Sequence, residues 1–525
     1  MSSGMILQQL SRYNIGTFAH VLHRHALLRP DKEALVYGPQ RLDYAELNAR
    51  VNRLAHALEA KGLKKGDGVG ILAWNCLDYV VIYGAAAKGG YILSRFSPRL
   101  LREELEYMIN YSEISALCVG PELVELTASL AGKIPNVKHL IAIEEKQPGM
   151  DFLDDLLAAQ PADEPDNIPE EDDRLQIIYT SGTTGVPRGA LYTNRHVWED
   201  TRTLVIDMAL QPSDRHLQIA PLFHIAGDTI MRSLLYQGAC NVIAKSFDPA
   251  AVLQTIHDEK ISHLQIVPTH LIAMLGLPDV KKYDLSSLRM MWYGASPMPV
   301  ELLKRGMETF GPIFTQGYGQ SESGPAIAHL PCEEHNVIGT PRERILGSVG
   351  HPDMGVQVRI VDENDKDLPP GEPGEIIVRS KHRMQEYWHK PEDTAATIVD
   401  GWLHTGDVGV YDEEGYIYIV DRKKDLIISG GENIYPREVE EVLYRMEAVH
   451  EVAVIGVPDP YWVERVHAVI CLKPGCTCTA DDVKAFCKQH LAGFKAPKSV
   501  AFVAALPKTA TGKILKKDLR EMYRE

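Results

Sequence analysis

The most constraining feature of this chain is an apolar run, Leu175–Tyr179, that opens directly into Tyr179-Thr-Ser-Gly-Thr-Thr-Gly-Val-Pro-Arg-Gly189. A short apolar run bounded by turn residues reads as a buried strand. The string behind it cannot continue that strand. Its three glycines and four Ser/Thr hydroxyls let the backbone approach closely, adopt positive φ, and offer N–H and O–H groups to phosphate oxygens. The Gly-Lys-Ser/Thr ending of a Walker loop is absent, so this is a phosphate cradle of another kind.

At 525 residues the chain exceeds what one hydrophobic core serves. Up to about residue 175, helix-like and strand-like segments alternate, as in the amphipathic stretch Tyr44–Lys61 followed by Val69–Ala73. That alternation predicts α/β layering. The acidic, proline-containing stretch Pro161–Asp173 reads as a loop feeding the buried strand at Leu175. After Val420 the charged pentapeptide Asp421–Asp425 separates two strand-like runs, Tyr416–Val420 and Leu426–Ile428. Beyond it, Val439, Val442, Leu443 and Met446 fall at helical spacing within Arg437–Val449, while Val452–Val457 and Ala468–Leu472 read as buried strands. The expectation is an α/β chain with a large N-terminal domain, residues 1–421, a hinge at 422–425 and a small α+β domain at 426–525.

A formal charge of -16 opposes nonspecific attraction to nucleic acid or an anionic membrane surface. No apolar stretch approaches the roughly eighteen residues that span a bilayer, and Met1–Gln8 does not form a leader. A cytoplasmic location is expected, with no integral membrane association, and a homodimer is left open. Cys76, Cys118, Cys240 and Cys332 stand alone; Cys471, Cys476, Cys478 and Cys487 cluster near His490 at spacings that match no common zinc module. Reduced thiols are expected throughout.

Further motifs follow in order: Pro221-Leu-Phe-His224, Gly294-Ala-Ser-Pro297, Gln316-Gly-Tyr-Gly-Gln-Ser-Glu322, Thr405-Gly-Asp407, Asp421-Arg422, Gly430-Gly-Glu-Asn433 and Pro507-Lys-Thr-Ala-Thr-Gly-Lys513. Together with the hydroxyl-rich string they resemble, over nearly the full chain, the adenylate-forming superfamily of acyl-CoA synthetases, amino-acid adenylation domains and luciferases. The pattern is most similar to fatty-acid or aryl-acid CoA ligases. The resemblance implies a multi-subdomain N-terminal α/β domain, a mobile C-terminal domain, and the use of ATP, Mg²⁺ and coenzyme A.

It also implies roles. Thr180, Ser181, Gly182, Thr183, Thr184, Gly185 and Arg188 would surround the phosphates. Tyr318 sits among glycines, so its ring can lie flat on a purine; by resemblance it stacks on adenine, with Gly294, Ala295 and Ser296 opposite and Gln316, Gly317 and Gly319 alongside. Ser321 would touch the α-phosphate. Glu322 is a hard oxygen ligand suited to Mg²⁺, shared with Thr180. Asp407 can accept the ribose hydroxyls, with Arg422 beside it. Lys513, a point charge on a flexible stem, would offset charge growing at the α-phosphate. Lys424 aligns with the pivot, Gly430, Gly431 and Glu432 with the pantetheine channel, and His224 with a catalytic gate at the acyl pocket.

The acyl pocket implied by resemblance is lined by His224, Ile225, Ala226, Gly227, Asp228, Thr229 and Ile230, with Gly294–Ser296, Gly317, Pro325 and Ala326. Small residues at 226 and 227 predict room for a medium or long aliphatic acid or an aryl acid, rather than acetate. A carboxylate facing an apolar tunnel is costly, so Asp228 is expected to point to solvent, the alternative being recognition of a polar or cationic tail on the acid. Two departures stand out: Arg188 where relatives carry lysine, and Val463 where glycine is common. The rival readings are an adenylation enzyme that loads a carrier protein, disfavoured by His224 where an ammonium-binding aspartate would stand and by the absence of a carrier domain after Glu525, and a catalytically silent nucleotide-binding protein.

Overall fold

The computed structural model describes residues 3–180, 187–423, 425–429, 432–509 and 514–524. An eight-stranded sheet contains β1 (Gly68–Leu72), β2 (Ile92–Phe96), β3 (Arg174–Thr180) and β4 (Arg188–Thr193), in the spatial order β4-β3-β2-β1. The predicted run Leu175–Tyr179 lies within β3, and the predicted helix Tyr44–Lys61 is observed as Tyr44–Ala60, closed at its start by a capping box between Asp43 and Glu46.

Next in the chain come α1 (Asn194–Asp207), β5 (Arg215–Gln218), α2 (Ile225–Gln237), β6 (Cys240–Ile243), β7 (His263–Ile266), β8 (Met290–Gly294), β9 (Phe314–Gln320) and β10 (Gly324–Leu330). They build a nine-stranded sheet in the spatial order β10-β9-β8-β7-β5-β6, continued at both ends. Strands β5 to β9 pair in parallel and β10 returns antiparallel. Leu264, Ile266, Met291, Tyr293 and Phe314 share an apolar cluster with Val252, Leu271 and Leu303 of three following helices. The alternate residues Met290 and Trp292 cluster instead with Leu204 of α1 and with Ile230 and Leu234 of α2. Each strand thus sends successive side chains to opposite faces, and α1 and α2 cover one of them.

Strand β11 (Glu386–Tyr387) adds to the edge of β4, placing Tyr387 opposite Ala190. A five-stranded sheet follows, in which β12 (Trp402–Tyr411) and β13 (Ile417–Arg422) bring Asp407 opposite Arg422. Beyond Leu426 the chain forms α3 (Pro436–Tyr444), β14 (Val449–Asp459) and β15 (Val463–Leu472) around an apolar cluster of their own, including Ile427, Ile434, Val439, Leu443, Val454 and Val466. The Arg437 guanidinium donates to the Ile419 carbonyl at 2.7 Å and its amide to Asp421 Oδ2 at 3.0 Å, tying α3 to β13.

Two local features qualify the sequence expectations. The stretch Pro161–Asp173 has no regular element, yet it inserts Glu164 into the body, where the carboxylate accepts from Asn48 at 2.7 Å and from the fully buried Lys88, and bonds the His23 ring at 2.9 Å. Val463 keeps a glycine-like backbone with φ +70° although it is β-branched and 69% exposed. All eight cysteines are free. Among the described residues no helix is long and apolar enough to cross a membrane.

Candidate active site

The phosphate string begins in the last residues of β3 and ends in the first residues of β4. Thr180 and Arg188 are register partners at its two ends, and Ser181, Gly182, Thr183, Thr184 and Gly185 lie outside the described residues. The Thr180 hydroxyl is buried with no partner at hydrogen-bonding geometry among the described residues. The Arg188 guanidinium lies 4.2 Å from the centre of the Tyr387 ring, whose phenol donates to Glu322 Oε1 at 2.9 Å. The backbone carbonyl of Glu322 accepts from the Met384 amide at 2.8 Å, which fixes the turn that presents the carboxylate. A carboxylate and an unpaired hydroxyl are the hard oxygen donors that Mg²⁺ takes, so these residues fit that ion.

Among the residues expected to face the nucleotide, glycine is required by close approach. A Cβ on Gly294 would stand 2.3 Å from the Gly317 carbonyl oxygen, and one on Gly319 would stand 2.4 Å from the Pro325 backbone. Ala295 turns the chain out of β8 at φ +63°. Next to this bare stretch Asp407 is 4% exposed and held at both oxygens. The Tyr318 phenol donates to Oδ2 at 2.8 Å, the Gln320 amide donates to the same atom at 2.6 Å, and Arg422 Nε stands 3.1 Å from Oδ1. Burial and the neighbouring carboxylate push the Tyr318 phenol well above its usual pKa, so it is a donor at all working pH. Gln316, on β9 beside these groups, keeps a buried amide oxygen without a partner among the described residues, and the Ser321 carbonyl accepts from Tyr192. Sequence reasoning quoted Gln320 within its motif but gave it no role, and missed Tyr387 altogether.

The acyl side corrects three expectations. Residues 225 to 230 cannot all face one cavity, because they occupy nearly two turns of α2 and a helix turns through all directions in 3.6 residues. His224 caps the helix, its ring accepting from the Ala226 amide at 3.4 Å, while Ile230 and Ala326 cluster with Trp292. Gly227 opens no pocket volume: a Cβ there would lie 2.4 Å from the Pro221 carbonyl oxygen, so the glycine serves the close return of the chain.

Asp228 does not point to solvent. It is fully buried, 2.6 Å from Arg95 of β2 and 3.0 Å from Arg232 one turn along α2, with Gln176 of β3 donating at 3.4 Å. Arg232 also pairs with buried Asp200 of α1 at 3.1 Å and donates to the Thr229 hydroxyl at 2.8 Å. Two guanidiniums and two carboxylates therefore neutralise one another inside, which removes the penalty on which the solvent-facing expectation rested. Glu432 is exposed at the start of a short strand, and Lys424, Gly430, Gly431 and Lys513 lie outside the described residues.

Residues 22–388 match the AMP-binding enzyme family and residues 438–513 match the AMP-binding enzyme C-terminal domain. Fold and family together define an adenylate-forming, AMP-forming ligase. The chain belongs to the AMP-binding enzyme family. It is 38% identical over 501 residues to a feruloyl-CoA synthase of an Amycolatopsis species, covering 95% of this chain and 98% of that protein. It is 34% identical to a long-chain-fatty-acid–CoA ligase of Bacillus subtilis (strain 168), covering 96% and 94%. The crystal structure of an anthranilate CoA ligase in complex with anthranoyl-AMP superposes with a TM-score of 0.90 at 29% identity, covering 98% of both chains.

Proposed function

We propose that the protein is an AMP-forming acid–CoA ligase whose acid is an aryl acid. ATP and the carboxylate give acyl-AMP and pyrophosphate; coenzyme A then gives the thioester and AMP. The observation that carries this reading is Asp407, pinned by Tyr318, Gln320 and Arg422 beside the bare backbone of Gly294 and Gly317. A fixed carboxylate with both oxygens held in place suits the two hydroxyls of a ribose. Attack of one anion on another is the barrier to the first half-reaction. Mg²⁺, when bound at Glu322 and Thr180, would supply charge neutralisation there. Arg188 keeps a positive charge at the start of β4, and Lys513 takes the role of neutralising charge at the α-phosphate. We assign residues 422–425, with Lys424, as the pivot between a domain spanning 1–421 and one spanning 426–525. The resemblance gives Gly430, Gly431 and Glu432 a place beside the thiol channel.

The choice of acid rests on Trp292. Its indole covers Gly317 so closely that a Cβ there would stand 2.3 Å from Nε1. A flat apolar wall with apolar filling behind it favours a ring over an extended chain. The test is ATP–pyrophosphate exchange and CoA-thioester formation with acetate, decanoate, benzoate and cinnamate. Cinnamate or benzoate should give the highest kcat/KM. Preference for acetate or decanoate would overturn the aryl assignment, and exchange with no acid would leave a silent nucleotide-binding protein.

A further inference from the structure

Neighbouring parallel strands set their side chains in rows, since residues in register point to the same face. Gly294 and Gly317 form one row. One step down the strands, Gln265 of β7, Trp292 of β8 and Thr315 of β9 form the next, and the register of β5 against β7 brings Gln218 into line with them. Trp292 clusters with residues of α1 and α2, so the whole row faces the space under α2. Ile230 of that helix packs with Trp292 there.

This row is polar on either side of the indole. Gln218, Gln265 and Thr315 are all at least 95% buried. Gln265 Oε1 and Thr315 Oγ1 have no partner at hydrogen-bonding geometry among the described residues; the Gln218 amide nitrogen donates to the Ala220 carbonyl at 2.7 Å and the side chain also meets the His216 ring. An unpaired buried acceptor is costly, and the great majority of buried polar groups are paired. Two such atoms in one row beside the acyl end of the site point to a ligand that brings a hydrogen-bond donor.

The strands also set the distance. Two residues along a strand span roughly 6.5–7 Å. An acid activated beside Gly294 and Gly317 therefore reaches the glutamine row with the far edge of an aromatic ring. An alkyl chain of that reach would cover the amides and give them nothing in return.

We propose that the row Gln218–Gln265–Thr315 is the specificity end of the acyl site, and that the acid is a phenolic aryl acid whose ring hydroxyl, opposite the carboxyl-bearing arm, donates to the Gln265 amide oxygen. This rests on the aryl-acid ligase reading above. It goes further by requiring a donor at one ring position.

The experiment compares kcat/KM in ATP–pyrophosphate exchange for cinnamic acid, 4-hydroxycinnamic acid and 4-methoxycinnamic acid, in the wild type, Gln265→Leu and Gln265→Met. The wild type should favour the hydroxy acid over the unsubstituted acid by at least about tenfold, because a site built to bond a hydroxyl rejects the analogue lacking it. The methoxy acid, which accepts but cannot donate, should lose that preference. In both variants the hydroxy-to-unsubstituted ratio should collapse toward one. Ready exchange of all three acids at similar rates, or a ratio unchanged in the variants, overturns this inference and leaves the aryl-acid reading standing. Exchange with none of them overturns both. The wild-type ratios decide the matter even where a variant fails to fold.

Discussion

The phenol of Tyr387 donates to Glu322 at 2.9 Å while its ring lies 4.2 Å from the Arg188 guanidinium. One side chain thus joins the cation at the start of β4 to the carboxylate suited to a metal ion. Tyr387→Phe keeps the ring under Arg188 and releases Glu322. The Mg²⁺ concentration for half-maximal exchange should rise several-fold, with a stability loss of about 1 kcal/mol. An unchanged Mg²⁺ requirement would show that Glu322 needs no such support.

Asp407→Asn should be far more damaging to nucleotide use than to folding. The carboxylate receives two donors on Oδ2 and faces Arg422 on Oδ1. An amide is neutral toward Arg422 and offers only one acceptor atom. The KM for ATP should rise by a factor on the order of 10–100, as for a lost charge-assisted hydrogen bond. A KM within twofold of wild type would argue against a nucleotide role.

For Asp228 the two positions, solvent or interior, give opposite forecasts. A surface substitution usually changes stability by within about ±0.5 kcal/mol. Removing a buried partner of two arginines costs about 3–5 kcal/mol. Asp228→Asn should therefore lower the urea midpoint sharply, since Arg95 and Arg232 lose their shared counter-charge. A midpoint shift too small to measure would contradict the buried tetrad.

Val463 holds φ +70° with an exposed, β-branched side chain. Left-handed backbone costs a non-glycine residue about 1–2 kcal/mol. Val463→Gly should stabilise the protein by about 1 kcal/mol or slightly less, because glycine also gains freedom in the unfolded chain. Denaturant unfolding of the two proteins measures it, and a destabilised variant would refute the strain.

Glu164 supplies a pH dependence. Burial would raise its carboxyl, but the hydrogen bond with His23, the charge of Lys88 and the Asn48 amide outweigh it and hold the folded pKa well below the usual value. A depressed carboxylate stabilises the fold above its unfolded pKa, and that stability fades as pH falls through the folded value. Thermal midpoints should decline below the ordinary glutamate range. Glu164→Gln should show a lower midpoint at neutral pH and a shallower decline on acidification; parallel curves would exclude this contribution.

Local order announced the placement of a few of the residues expected at the nucleotide. A strand running into glycines and hydroxyls, and an aspartate opening an apolar strand, carry their chemistry in local order, and β3, β4 and β12 place them accordingly. The acyl side was not legible in the same way. Asp228 faces inward because Arg95 waits on a strand far earlier in the chain, and nothing near position 228 announces that pairing except Arg232 four residues on. Helical periodicity alone could have shown that residues 225 to 230 do not share one face. Gln265 and Thr315 belong to no motif; only the register of β7, β8 and β9 makes them neighbours.

That register has a consequence for redesign. The groups under α2 are spaced by the sheet's own hydrogen-bond lattice, and no surface loop contributes to the row. If the row recognises the ring hydroxyl as proposed, exchanging loops between two such enzymes would leave that recognition unchanged. A single codon on an interior strand would alter it, with the activation chemistry untouched.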